Sequence, residues 1–261
     1  MVQTAGTTDS HVDCSGTNPM TQPQPHFVFM ILHEHPYGRE MLAQLLAAGL
    51  RPQLVLEEDS EIGAVERQKF LERIRGQPVN RSVASQAGDH GIPIVSVPVH
   101  DDEHSLAVVQ EAEPDLIVLG GTRIIRGNLL EFPRDGVLNA HPGLLPECRG
   151  SASPAWSVYH DIQIGSSCHF CTPAIDEGDL VGRRTVSVHR GARYEDLCYR
   201  TLVMAGTLMT QAVRAYADGR LAALRRPQGP SPNPTFRNMP DGLLAVVRQK
   251  LRDQTYAHYV D

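Results

Sequence analysis

A chain of 261 residues with 41% hydrophobic content can bury one sizeable core, and 24 Lys and Arg against 30 Asp and Glu give a net charge of −6 that offers nucleic acid no global attraction. No run approaches the roughly 18 apolar residues that span a bilayer, so no membrane protein is expected. Five cysteines at irregular spacing do not make a disulfide framework, and a reduced, cytoplasmic setting is expected.

Residues 1–25, rich in Thr, Ser, Gln and Pro and without the basic start and apolar core of a secretory signal, read as a disordered leader. His26 to Leu32 is a near-continuous apolar run of buried-strand type, and Gly38 to Leu50 an amphipathic helix closed by Gly49. Gln53 to Leu56 reads as a strand, Gly63 to Ile74 as a helix and Val83 to Asp89 as a short helix. Ile94 to Val97 is the third strand, Ser105 to Glu111 a helix, Leu116 to Leu119 the fourth strand and Val137 to Asn139 the fifth. Strands alternating with helices predict an α/β fold with a doubly wound, mostly parallel sheet over residues 26–219. Ser167 to Thr172 and Arg184 to Val188 add two strands, and Tyr194 to Asp218 is a long helix whose apolar stripe serves either the core or a homodimer. From residue 220 to 261, Pro227, Pro230, Pro232 and Pro234 give linker composition, followed by a short helix over Leu243 to Leu251. That extension holds seven Arg or Lys and three Asp, the ordinary excess of a solvated helix face.

The densest chemistry lies in Asn139-Ala140-His141-Pro142-Gly143-Leu144-Leu145-Pro146. Strand alternation points Asn139 and His141 to one face, and Pro142 and Gly143 take the chain out of the sheet just past them. That edge of an open α/β sheet is where ligands bind. An amide beside an imidazole suits a carbonyl becoming a tetrahedral oxyanion, and a carboxylate folded back beside His141 could take a proton from an attacking amine. None of the three is a strong nucleophile, so direct acyl transfer is expected rather than a covalent intermediate.

On Asn-x-His-Pro-x-Leu-Leu-Pro and the later Asp176 the chain resembles the folate-dependent formyltransferases, which include glycinamide ribonucleotide and methionyl-tRNA transformylases and formyltetrahydrofolate hydrolase. The resemblance extends from about Phe27 to Gly219. It implies a Rossmann-like formyltransferase fold, Asn139, His141 and Asp176 as the catalytic triad, and 10-formyltetrahydrofolate as donor. It further implies that Gly121, Thr122, Arg123, Ile124 and Ile125 meet the pterin on one side, and that Thr172, Ile175 and Asp176 line the other. The extension is too short for the separate tRNA-binding domain of methionyl-tRNA transformylases.

Other segments stay open to more than one reading. His33, Glu34, His35 and Tyr37 either recognise a polar amine acceptor or form a capped helix start; the single glycine there departs from a phosphate-cradling loop. Arg149, Ser151, Ser153 and Trp156, just past the triad motif, are further candidate acceptor contacts. Asp179 competes with Asp176, and Cys148 is a conceivable nucleophile. Cys168-His169-Phe170-Cys171 invites a zinc reading, but its cysteines point to opposite faces of a strand and no metal is predicted. The expected activity is an N-formyltransferase acting on a small-molecule amine. The alternatives are a formyltetrahydrofolate hydrolase, with water as acceptor, and a non-catalytic folate-binding protein.

Overall fold

The computed structural model describes Met1 and residues 25–260; the leader expected over 1–25 falls, but for its two end residues, outside the described residues. The apolar run forms β1 (Phe27–Leu32), buried at all positions, as a strand covered on both faces must be. It leads into α1 (Pro36–Ala47), β2 (Leu54–Glu58), α2 (Glu61–Arg73), α3 (Val83–Asp89), β3 (Ile94–Val97), α4 (Glu103–Ala112) and β4 (Leu116–Leu119). The chain continues through α5 (Asn128–Glu131), β5 (Val137–His141), α6 (Ser153–Tyr159), β6 (Gly165–Phe170), β7 (Leu180–Thr185), α7 (Tyr194–Ala217), α8 (Leu221–Leu224) and α9 (Asp241–Arg252). The sequence reading lacks α5, α6 and α8, which are too short for a hydrophobic period to show.

The seven strands form one sheet in the order β3-β2-β1-β4-β5-β6-β7. The pairs from β3 to β5 are parallel, and β5·β6 and β6·β7 are antiparallel, so the sheet is mostly parallel, as expected. The last strand is shifted from the expected Arg184–Val188 to Leu180–Thr185. Val186 and Val188 have the branched side chains that draw a strand reading, but β6 already takes its partners from Leu180 to Thr185, and Val188 instead makes a lone bridge to Tyr259.

One core cluster fills the face covered by α1 and α7, where Leu138, Ala140, Cys168 and Phe170 meet Leu45, Leu202 and Met209. A second lies on the opposite face with Val28, Met30, Ile117, Val137 and Leu129. The apolar stripe of α7 is therefore spent on the core. A third cluster unites Val247 and Leu251 of α9 with Val158 of α6 and Leu197 of α7, so the helix after the Pro-rich segment is docked on the rest of the protein. Among the described residues no helix is long and apolar enough to cross a membrane.

Candidate functional site

Along β5 the side chains alternate: Leu138 and Ala140 enter the α7-side core, while Val137 faces the opposite cluster, which puts Asn139 and His141 on the same side as Val137. The antiparallel partner β6 sets His169 directly opposite Asn139. The ladder between β6 and β7 shifts register between Cys168 and His169, the kind of bulge that re-aims a side chain. After Phe170 the chain makes a closed excursion over residues 171–178, whose ends meet where Phe170 N donates to Asp179 O at 2.9 Å. The excursion starts beside Val137, where Cys171 N donates to Val137 O at 2.8 Å, and returns along β5 far enough for Asp176 to reach His141. Gly178 is required at its end, because a Cβ there would stand 1.8 Å from Phe170 O.

Asp176 lies between two imidazoles. Its Oδ2 is 3.4 Å from His141 Nδ1 and its Oδ1 is 3.4 Å from His169 Nε2. Gly150 N donates to Oδ2 at 2.8 Å. Burial alone would raise the carboxyl pKa; His141, His169 and the Gly150 amide outweigh it and hold Asp176 well below the usual carboxylate range. Its backbone adopts φ +55, a left-handed conformation that costs most side chains about 1–2 kcal/mol and that Asp tolerates better than most.

His141 is buried, and burial pushes its pKa below 6.5, with Asp176 pulling the other way. Its Nε2 is 2.8 Å from Cys148 O and 3.0 Å from Ser153 Oγ. Because a carbonyl only accepts, the bond to Cys148 O needs a hydrogen on Nε2, and Nδ1 then donates to Asp176 only in the imidazolium form. Both ring nitrogens are thus engaged by the protein. The amide of Asn139 is freer: its Nδ2 makes one contact, 3.3 Å to His169 Nε2. His169 Nδ1 is turned to Phe170 O at 2.9 Å. In the sequence His169 enters only within the Cys168–Cys171 segment, and its pairing with Asp176 depends on the bulge, which has no sequence signature.

Asn139, His141, His169 and Asp176 line a cavity of ≈ 660 Å³. Of the residues expected around a donor, Thr122, Arg123, Ile124, Ile125, Thr172, Ile175 and Asp176 line it; Gly121 stands behind, its carbonyl accepting from Leu32 N at 3.2 Å. Arg123 is aimed by the fully buried Glu58, whose Oε1 accepts from Nε at 2.7 Å. Burial would raise Glu58, but Arg123, the His100 amide and Ser60 hold it below its ordinary value.

The helix-start reading prevails for the segment after β1. His35 is the N-cap of α1, its Nδ1 accepting from Tyr37 N at 3.2 Å, and its ring packs 4.9 Å from Phe70. Tyr37 is buried with its hydroxyl donating to Ala140 O at 2.7 Å, and His33 pairs with Glu57 at 2.9 Å. None of the three lines the cavity. Ser151 does, but Arg149 turns away, its Nη2 donating to Gln228 Oε1 at 3.1 Å and its Nη1 3.1 Å from Glu177 Oε1. Trp156 stacks on Phe236 at 4.8 Å and donates to Arg237 O at 2.8 Å. Asp179 pairs with Arg225 at 3.1 Å, away from the imidazoles. Cys148 is fully buried and its thiol is pushed up to about 11 by burial, which removes the thiolate a nucleophile needs. Cys168 packs on the α7 side of the sheet and Cys171 against the opposite cluster.

The Pro-rich segment expected as a linker is a wall of the site. Arg226 bridges Leu180, and Phe236 pairs with the loop after β5: its N donates to Arg149 O and its O accepts from Ser151 N, both at 2.9 Å. Prolines bar this stretch from helix and from a sheet interior, yet they leave it free to run extended along an edge. Thr235, Phe236, Arg237 and Asn238 line the cavity. Phe236 is buried against Trp156 and His160, which also stack on each other, and such burial stabilises by about 1.5–3 kcal/mol.

A family model described as "Formyl transferase" matches residues 72–213, more than half of the chain. A methionyl-tRNA formyltransferase from Mycobacterium sp. (strain KMS) is 30% identical over 155 residues, covering 59% of this chain and 50% of that protein. The chain therefore spans about half the length of the curated relatives it matches. Among solved structures, glycinamide ribonucleotide transformylase 1 from Symbiobacterium toebii aligns with TM-score 0.59 at 23% identity, covering 79% of this chain and 94% of that one. A formyltetrahydrofolate deformylase from Pseudomonas syringae pv. tomato aligns with TM-score 0.60 at 20% identity, covering 76% and 63%. At those identities the structures speak for the fold; the family match over β3 to α7 takes in Asn139, His141, His169 and Asp176, and the chain belongs to the formyl transferase family.

Proposed function

We propose that this protein transfers a formyl group from 10-formyltetrahydrofolate to the amine of a small-molecule acceptor, with Asn139, His141 and Asp176 as its catalytic residues. The observation that supports it is the placing of an amide, an imidazole and a strongly acidic carboxylate on one wall of a ≈ 660 Å³ cavity. That volume is of the size ordinary small-molecule sites use. The donor's pterin lies against the backbone of Arg123 to Ile125, with Thr172 to Asp176 on its other side. Ile124 and Ile175 are exposed at these two edges, apolar surface that a flat ring would cover.

The acceptor nitrogen attacks the formyl carbon, and the carbonyl electrons move onto oxygen. Asn139 Nδ2 donates to that oxyanion, and the His141 imidazole, which Asp176 and the developing negative charge draw towards its protonated form against the pull of burial, stabilises it at short range. The proton the amine must lose leaves through water oriented by the Asp176 carboxylate, whose low pKa suits it to hold charge beside that water, and an equivalent proton returned to N10 of the folate lets it leave as tetrahydrofolate. The carbonyl re-forms on the acceptor. No covalent enzyme intermediate is involved. The setting proposed for this reaction is the cytoplasm.

The test is absorbance-monitored turnover of 10-formyltetrahydrofolate with and without a panel of amines, comparing wild type with Asp176→Asn. Amine-dependent release of tetrahydrofolate, slowed in the variant by about 10²- to 10⁴-fold, is the expected outcome. Release that ignores the amine would make the protein a hydrolase, and tight folate binding without release would leave it a binding protein.

A further inference from the structure

Gln228, on the strap, is placed where its single carboxamide meets both loops of the site. Its Nε2 donates to Asp176 O at 2.9 Å and to Gly178 O at 2.7 Å. Its Oε1 accepts from Arg149 Nη2 at 3.1 Å, and the same guanidinium reaches Glu177 Oε1 through Nη1 at 3.1 Å. Two donors and one acceptor are what two convergent carbonyls and a guanidinium demand, and a primary amide supplies them from one planar group. A hydroxyl has a single hydrogen, and an ammonium has no acceptor for Arg149.

The amide grips the backbone at and just after a residue in left-handed conformation, Asp176 at φ +55. On its side-chain end the same residue is fixed by Gly150 N, which follows Arg149 directly. Residues 148–150, residues 176–178 and residues 228–229 are therefore cross-tied around one carboxylate. Gln228 itself lies beyond residue 213, where the family match ends.

We propose that Gln228 is a positioning residue: it clamps the loop that carries Asp176 and thereby sets the distance of that carboxylate from His141. The catalytic meaning of that distance rests on the formyl-transfer reading above, whereas the clamp itself does not.

The experiment reads the clamp without donor or acceptor. The His141 imidazole is titrated by NMR, and the exchange of the Gly150 amide proton is followed, in wild type, Gln228→Ala, Asp176→Asn and the double variant. The titratable groups facing His141 are Asp176, which raises its pKa, and His169, which lowers it. In Gln228→Ala the His141 midpoint is expected to fall in the same direction as in Asp176→Asn, with Gly150 exchanging roughly tenfold faster for loss of a held hydrogen bond. The double variant should match Asp176→Asn alone, since a clamp without its carboxylate has nothing to position. Gln228→Met keeps much of the volume, offers no N–H and adds no charge, and serves if the alanine variant does not fold; the same shift is expected. A folded variant with an unmoved His141 midpoint, or additive shifts in the double variant, would overturn the proposal. Failure of wild type to turn over any formyl donor would sink the formyl-transfer reading and leave these readouts standing. With an identified acceptor, Gln228→Ala should lose kcat and keep KM for the donor, and a loss confined to KM would count against the clamp.

Discussion

The hydroxyl of Tyr37 donates to the carbonyl of Ala140, the residue between Asn139 and His141, from the side of the sheet opposite to their side chains. Helix α1 thus props the strand that carries the amide and the imidazole. Tyr37→Phe should leave that buried carbonyl without its partner and cost about 1–3 kcal/mol of stability, read from urea unfolding. An unchanged midpoint would mean the carbonyl finds another donor and the prop is dispensable.

Asn139 has amide hydrogens to spare at the cavity, beside His141 and Asp176. Asn139→Ala should lower kcat by about 10²- to 10³-fold, the usual cost of one oxyanion donor, while donor binding followed by ligand fluorescence changes little. If binding and turnover fell together, the amide would be a ground-state contact instead.

Burial, with Arg73 and Arg67 nearby, pushes the His35 imidazole down to about 3 from the ordinary 6.5. The unfolded chain therefore takes up this proton before the folded one does, so the contribution of His35 is complete above pH 6.5 and is lost as the pH falls towards 3. Between pH 6 and 4 one such group makes stability fall by about 1.4 kcal/mol per pH unit. His35→Asn keeps a capping side chain without a titrating ring and should flatten that slope; equal slopes in denaturant titrations of the two proteins would refute the assignment.

The chain's single Trp, Trp156, stacks on Phe236 and donates to Arg237 O, so its fluorescence reports whether the strap is down. Gly150 has φ +93, and a Cβ there would come 2.0 Å from Phe236 O. Gly150→Ala should lift the strap, raise acrylamide quenching of Trp156 and cut turnover by at least about tenfold. Unaltered quenching would show that the strap accommodates the extra carbon.

What could be read from the chain alone follows from the range of the forces involved. Continuous apolar runs such as Phe27–Leu32 and Leu116–Leu119 mark buried strands because two covered faces leave no polar position. Asn139 and His141 were legible as a pair because strand period fixes their common face. Asp176 came through likeness to a family, as nothing local says that residues 171–178 fold back along β5. His33, His35 and Tyr37 share the composition of a binding loop and of a capped helix, and only the cap bond and the reach of Tyr37 to Ala140 separate the two. The strap has the composition of a linker because its pairing with residues 149–151 uses backbone groups of a segment about 85 positions away, and backbone groups have no sequence code.

The strap also gives the site a history in time. Asn139, His141 and Asp176 have all left the ribosome well before residue 238, which closes the cavity wall. At about 5–20 residues per second, the roughly 60 residues between Asp176 and Asn238 take some 3–12 s to make. During that interval a nascent chain can hold a folded sheet on which Asn139, His141 and Asp176 stand open to water, and the cavity is walled on that side only once the strap has been laid across it.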